Sequence, residues 1–499
     1  MMEVDIACAG FGPATAGFLT TLTRVADLPL QVICYERADD ISFGVSGLVT
    51  RARGIRASWP ELDFSQIPMA TPVTTEKLVW LRGTRAVELP YIPPFLHKAD
   101  GWVLSLGQFL QYAGGQLMGS GLVQIWPGSP VREAIVEDGR VCGLRLQDWD
   151  VRAQLTVVGD GPVGAVGRQL DGKRDLHEWA LGMKMVVDLR DDVELAAGTV
   201  IHTFGYPEPE IFGFLYAHPE RVATVGIFVP SWLRDPRRSS YRYLQHFMLH
   251  PYLWRYLRGG KLRSWGAKSL QESGRRGDPE LVGEGFARIG EGSGSTNVLT
   301  GSGVDEAWTT GAQLGEAVLE LHRAGKPFTK AKLEAAYVAR RRDSWVERDA
   351  RVAERARDGF HRGMIAGLVG MALAGFTRGK LFIPGRPQPM QRRDRQLADV
   401  PCDGQLLVSH QDALLMGGKV QAGPGEDHVK FRDPALCREC ATKLCVSMCS
   451  GQAIANSHDG GVPAFDREKC VHCGACLWNC EQKNVIFAAG TGGLHSSEN

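Results

Sequence analysis

Short apolar runs that stop at glycine alternate, along this chain, with stretches whose apolar residues recur every three or four positions. Residues 4–9 form the first such run, of strand length. It leads into GFGPATAG, Gly10 to Gly17, and then into a helical pattern through Leu19, Leu22 and Val25. After a break at Leu28-Pro29, a second buried run, LQVICYER, closes on Glu36 and Arg37. The pattern predicts strand, tight turn, helix and strand in that order. From Gly44 to Asp100 no period persists, and loops with short strands are expected. Ser105 to Met118 reads as a helix. Residues 131–161 read as three strands with a turn at Asp138-Gly139, the last strand stopping at Gly159-Asp160-Gly161-Pro162.

Beyond Arg168 the pattern becomes β-rich. LGMKMVVDL, GTVIHTFGY, IFGFLYAH and RVATVGIFV are separated by turn signals and predict a largely antiparallel sheet. A helical, aromatic segment from Tyr241 to Leu257 precedes the pair Gly259-Gly260. GFARIGEGSG then repeats the strand-into-glycine turn, with a helical pattern over residues 305–321. The charge-dense stretch 330–362 suits a solvated helix face. MIAGLVGMALAGF, residues 364–376, is all apolar or glycine and is bracketed by Arg362, Arg378 and Lys380. It is too short to span a bilayer, so it is either a core helix or an interfacial one with basic flanks at lipid headgroups. Its glycines are expected to weaken a core-packing role. A Pro/Gly-rich linker, residues 384–427, carries Arg392 and Arg393.

Composition narrows the class. A chain of 499 residues admits two or three domains. With 57 Lys and Arg against 56 Asp and Glu, the net charge of +1 argues against nucleic-acid binding. Strand residues begin almost at Met1, so no signal or transit peptide is expected. Eight of the 12 cysteines lie close together near the C-terminus, which points to a reducing compartment, while Cys8, Cys34, Cys142 and Cys402 read as core thiols.

Those eight carry the most specific chemistry. CRECATKLCVSMC supplies Cys437, Cys440, Cys445 and Cys449; CVHCGACLWNC supplies Cys470, Cys473, Cys476 and Cys480. Three thiolates at short intervals can wrap an iron–sulfur cube, with the fourth reaching the cube of the other loop. That rule groups Cys437, Cys440, Cys445 and Cys480 on one [4Fe–4S] cluster, and Cys470, Cys473, Cys476 and Cys449 on another. The first motif has an irregular four-residue gap, and a pair of structural zinc sites is the alternative.

The N-terminal turn is a dinucleotide fingerprint. Gly10 would make the turn, Gly12 would admit the pyrophosphate, and the helix start at Pro13, Ala14 and Thr15 would offer N–H groups to phosphate. Glu36, followed by Arg37, would accept the adenosine ribose. Thr15 stands where a third glycine is usual, so helix and strand are expected to sit slightly farther apart. Asp160 and Gly161 form a glycine-rich turn that suits ribityl or pyrophosphate oxygens, or is a turn former only. Glu291 would sit near the ribityl chain, and the helix after Gly303 would point at the pyrimidine end of the ring. The ordinary βαβ turn is the bland alternative. His202, Tyr206 and Tyr216 are pocket residues or packed core. No general base is nominated.

The FAD fingerprint, WALGMKMVVDL, HTFGYPEPEIFGFLY, Gly259-Gly260 with SWGAKSLQESG, and the cysteine-rich end occur in this order. The order resembles the electron-transfer flavoprotein:ubiquinone oxidoreductase family, including its nitrogen-fixation-associated relatives, over nearly the whole chain. The resemblance implies electrons passing from electron-transfer flavoprotein, or another low-potential carrier, through [4Fe–4S] and FAD to a quinone held at Gly259 and Gly260. It also implies a membrane-dipping element at residues 361–379 and a peripheral place on the cytoplasmic face of a membrane. Familiar members keep one cluster, whereas this chain has ligands for two. A geranylgeranyl-reductase-like enzyme acting on isoprenoid double bonds, or a non-catalytic relay subunit, is the competing reading. The expected fold is mixed α/β and α+β. It comprises a glutathione-reductase-type FAD-binding domain split between 1–168 and 283–330, an antiparallel-sheet quinone or substrate domain at 169–282, a helical membrane-contacting segment and linker at 331–424, and a C-terminal 2[4Fe–4S] ferredoxin-like domain at 425–499.

Overall fold

The computed structural model describes residues 2–25, 30–41, 47–171, 179–230, 240–272, 274–301, 303–385, 398–421, 427–488 and 493–496. Leu28-Pro29, Arg392 and Arg393 lie outside them. The first apolar run is the strand Met2–Ala9, buried from Ile6 to Ala9 because it is covered on both faces. It pairs in parallel with Val32–Tyr35 on one side and Asp150–Val158 on the other. Phe286–Arg288 adds in parallel beyond Asp150–Val158. Segments far apart in sequence therefore end on one edge of one sheet, where open α/β sheets bind ligands.

Helix Pro13–Thr23 starts with proline in its first turn, where the missing N–H costs nothing, and packs on helix Val304–Arg323. The backbones nearly touch. A Cβ at Gly311 would lie 1.8 Å from the Ala14 carbonyl oxygen, and one at Gly17 would lie 2.5 Å from that of Trp308. Thr15 is fully buried and donates its hydroxyl to the Gly10 carbonyl at 2.7 Å. Gly159 makes room for it, since a Cβ there would lie 2.4 Å from the Thr15 hydroxyl. The expected widening is thus absorbed on the facing strand end.

The second layer is a seven-stranded sheet ordered Lys261–Gln271, Trp179–Asp188, Val222–Pro230, Phe212–Ala217, Thr199–Phe204, Thr75–Arg82 and Arg85–Glu88. Its pairs are antiparallel except Thr199–Phe204 with Thr75–Arg82. The last two strands arise inside the first segment, in the region that showed no period. Only Val79 and Leu81 of Thr75–Arg82 are buried, too few positions to make alternation visible.

Three expectations are corrected. The stretch 330–362 is not simply a solvated face: Arg341 is buried and donates to the Ser293 hydroxyl at 2.6 Å and carbonyl at 2.8 Å, and the buried Glu347 pairs with Arg275 at 2.8 Å. These charges turn inward because they brace the glycine turn after Phe286–Arg288. In helix Met364–Phe376 the buried positions are Gly367, Gly370 and Ala374, and the two glycines are set against Phe360 and Ile383, so they permit packing. Cys402 is exposed, unlike the buried Cys8 and Cys34.

Gly311→Ala tests the helix contact. In an open helix this change gains up to about 1 kcal/mol; here it should cost on the order of 1–3 kcal/mol by overpacking. Thermal unfolding should show a lowered midpoint.

Candidate active site and cysteine centre

The glycine turns converge on one cavity of about 1480 Å³ at the carboxyl edge of the parallel sheet. Gly10, with φ +85°, turns away from the strand so tightly that a Cβ would lie 2.9 Å from the Asp160 Cα. Gly12 has an ordinary extended backbone, and a Cβ there would meet nothing within 4 Å. Its need is empty space facing the cavity. Glu36 accepts the Phe11 N–H at 2.7 Å on one carboxylate oxygen and the Ala38 N–H at 3.0 Å on the other, which fixes it at the strand end. Arg37 also lines the cavity and is half-buried; desolvation lowers it, while Glu36 and the nearby Cys470 raise it.

Asp160 is held from below. Its carboxylate accepts the N–H groups of Val166 at 2.9 Å and Gly167 at 3.2 Å, while burial pushes it up to about 6 against those bonds and the Arg288 guanidinium. It lines the cavity, and its Oδ2 accepts both bonds from the start of a short helix. The return turn touches this one, since a Cβ at Gly292 would lie 2.8 Å from the Gly161 carbonyl oxygen. Glu291 pairs through Oε2 with Lys268 at 3.5 Å, and its Oε1 is buried with no hydrogen-bond partner among the described residues. That orphaned acceptor, beside Gly161 and the open Gly12, suits the hydroxyls of a flavin's ribityl chain. Pro13, Ala14 and Gly303 line the same cavity; Thr15 does not, being turned into the core. The residues present fit FAD.

Gly259 and Gly260 are not brought to the cavity. They form the turn from helix Pro251–Leu257 into strand Lys261–Gln271, with Arg190 and Val187 as neighbours. Their glycine requirement is local: Gly259 has φ +74°, and a Cβ on Gly260 would lie 2.7 Å from Val187. Strand residues that do line the cavity include His202, Phe204, Phe212, Gly213, Phe214 and Tyr216. His202 and Tyr216 bond at 3.1 Å, and burial lowers His202 to about 3, so the ring is neutral. Tyr206 instead packs on His250. Leu368, Met371 and Phe376 of the apolar helix line the cavity too, while Ile365 and Phe376 are 80% and 73% exposed. The helix forms part of the cavity's outer wall.

The eight cysteines gather in one region, with Cys476 in the electrostatic field of Cys445 as well as of Cys473, Cys470 and Cys449. Cys445 lies in the electrostatic field of Cys480, Cys440 and Cys437. Cys470 and Cys476 share that of Cys473 and Cys449. Backbone and side-chain amides point at sulfur in both: Asn484 N–H to Cys480 and Asn484 Nδ2 to Cys437, each at 3.2 Å, and Ala453 N–H to Cys449 at 3.2 Å. Such donors suit thiolates better than thiols. The second group sits on the cavity wall. Val471, His472 and Phe487 line the cavity, Ser269 N–H donates to the Cys473 carbonyl at 2.9 Å, and Trp478 stacks on Trp179 at 3.6 Å. His428 and His472 bring ring nitrogens within 4.8 Å of the Cys470 sulfur, a grouping with no spacing signal in the sequence.

This fold and cradle define an FAD-dependent oxidoreductase. Solved structures with the same fold include a geranylgeranyl bacteriochlorophyll reductase-like protein from Thermoplasma acidophilum, with TM-score 0.58 and 17% identity over 76% of this chain and 90% of that one. A flavin-dependent brominase gives TM-score 0.53 and 16% identity over 76% and 94%. Residues 179–270 match the domain family described as ETF-QO, ubiquinone-binding. The electron transfer flavoprotein-ubiquinone oxidoreductase of Pseudomonas aeruginosa is 25% identical over 99% of this chain and 98% of its own, and the mitochondrial one of Dictyostelium discoideum is 25% identical over 98% and 90%. Over nearly its whole length the chain is similar to electron transfer flavoprotein-ubiquinone oxidoreductases.

Gly12→Leu should fold normally, because the site around its Cβ is open, yet purify without flavin. Unchanged circular dichroism with loss of the visible flavin absorbance is the expected pair of results.

Proposed function

We propose that the protein passes electrons from a reduced carrier, electron-transfer flavoprotein or a similar low-potential donor, through two [4Fe–4S] clusters and FAD to a quinone at a membrane surface. The observation that carries this reading is one continuous cavity with three kinds of wall: the nucleotide cradle, the cysteine-rich segment at Val471 and His472, and the apolar helix Met364–Phe376. When bound, FAD converts between one-electron and two-electron transfer, and each cluster carries one electron at a time. Glu36, Gly12 and Glu291 would hold FAD. Cys470, Cys473, Cys476 and Cys449 would hold the cluster beside it, and Cys437, Cys440, Cys445 and Cys480 the outer one.

The quinone site moves from Gly259 and Gly260 to the wall at Phe204, Phe212 and Gly213. Aromatic faces there suit a flat ring, and Gly213 brings backbone to the cavity surface. A quinone tail would leave between these strands and the apolar helix. No helix among the described residues is long and apolar enough to cross a membrane. An interfacial helix needs only an exposed apolar face, and Ile365, Val369 and Phe376 provide it. Each such side chain moved from water into hydrocarbon contributes about 1.5–3 kcal/mol.

Three measurements test the reading. Anaerobically purified protein should contain about eight irons, and Cys445→Ser should lose about half of them while keeping its flavin. Changing Ile365, Val369 and Phe376 together to Ser should abolish liposome binding and slow reduction of a long-tailed quinone, with a short-tailed quinone reduced as before. A folded, flavin-loaded protein that reduces no quinone would overturn the proposal.

A further inference from the structure

Beside the proposed quinone wall the cavity holds charged groups that electron transfer itself does not use. Lys98 and Glu306 are 4% and 3% exposed, and both line the cavity. Glu306 accepts the Thr300 hydroxyl at 3.1 Å. The turn at Gly301 faces His202, whose Nε2 would lie 3.6 Å from a Cβ there, and His202 in turn bonds Tyr216. Asp305, next to Glu306, is committed elsewhere, accepting the N–H groups of Arg53 at 2.6 Å and Gly54 at 2.7 Å.

Behind Lys98 a path leads outward. Its backbone N–H donates to Glu76 Oε1 at 2.5 Å, and the other Glu76 oxygen meets His97 Nδ1 at 2.5 Å. The Glu76 side chain is 8% exposed and that of His97 46%. His97 and Glu76 thus reach from solvent to the Lys98 backbone, while the Lys98 and Glu306 side chains line the cavity.

We infer that this corner of the cavity is a proton inlet, with Glu306 the group that protonates the quinone oxygen, Lys98 the neighbouring cation that reloads it, and Glu76 and His97 fixing the segment that carries Lys98. The inference rests on the quinone reading above. Each quinone converted takes two electrons from the reduced holoprotein and two protons, and each carbonyl oxygen ends as a hydroxyl. A proton leaves the Glu306 carboxyl for a quinone oxygen. The carboxylate is reprotonated by the Lys98 ammonium, which regains its proton from solvent water; the cycle runs twice per quinol. A quinone fed from the lipid side is cut off from water by its apolar wall, so a built path for protons is needed.

Burial supports the assignment. It pushes Glu306 up and Lys98 down, with Asp305 also raising Glu306, and with Lys98 and Thr300 opposing. Arg51 lowers Lys98 further, while Glu306, Asp305 and Glu76 raise it; Lys98 lowers the facing His202. Both shifts bring carboxyl and ammonium closer in proton affinity, as a relay needs.

The test compares the parent with Glu306→Gln and Lys98→Met, all carrying full flavin and iron. Ferricyanide, which takes one electron and no proton, should be reduced at the parental rate. Quinone reduction should fall ~100-fold, the scale of general acid catalysis. In the parent that rate should decline as pH rises through the deprotonation of Glu306, with a solvent isotope effect; the declining limb should vanish in Glu306→Gln. Infrared spectra of the oxidised protein should show a protonated-carboxyl band that Glu306→Gln removes. Should Glu306→Gln fail to fold, Thr300→Val serves: losing the bond that favours the carboxylate should move the declining limb to higher pH. Variants that follow the parent within about threefold at every pH, below any general-acid effect, would overturn the inlet alone. A parent that reduces ferricyanide but no quinone would overturn the quinone reading and the inlet with it.

Discussion

Helix Pro13–Thr23 reaches the floor of the cavity because Gly17 and Gly311 let it lie backbone to backbone against Val304–Arg323. That contact fixes two helix starts at one sheet edge, one beside the glycine turn at Gly10 and Gly12, the other beside Gly303. The turns at Gly161 and Gly292 then meet between them. Close approach of this kind has no substitute. A side chain at any of these points would separate the helices or fill the space a nucleotide needs.

The same constraint links the cradle to the cysteine-rich segment. A Cβ at Gly474 would lie 2.4 Å from Val163, two residues beyond Gly161, so the second cysteine loop is pressed onto the turn that borders the cavity. The Trp179–Trp478 stack and the Ser269 to Cys473 bond tie that loop to the seven-stranded sheet as well. The nearer cysteine group is fixed to both layers. The outer group, with Cys440 and Cys480 partly exposed, faces away. In the proposed reading this orders the electron path from surface to cavity, while the apolar helix and the Lys98–Glu306 series bring quinone and protons from two other sides.

Features with a short-range signature were legible before any coordinates. The strand–turn–helix–strand unit with Glu36, the paired cysteine motifs and the thirteen-residue apolar helix each depend on neighbours in sequence, and each is seen in residue spacing. What was missed depends on partners far away. Thr75–Arg82 shows no clear alternation because few of its side chains are buried. Lys98 gains its importance from Glu306, some two hundred residues later. The pair Gly259-Gly260 was assigned to the quinone through the family resemblance, and it forms a turn beside Val187 and Arg190, away from the cavity lining. Gly213 looked ordinary inside IFGFLYAH, although it lines the cavity.

The central claim is that two clusters and a flavin discharge into quinone through one site. Holoprotein reduced fully without oxygen, stripped of excess reductant and mixed with excess quinone, measures it by the quinol formed per chain. A flavin stores two electrons and each cluster one, so the account predicts about two quinols per chain. No quinol from a fully reduced, flavin-loaded protein would contradict it, and a yield near one and a half would leave room for only one cluster.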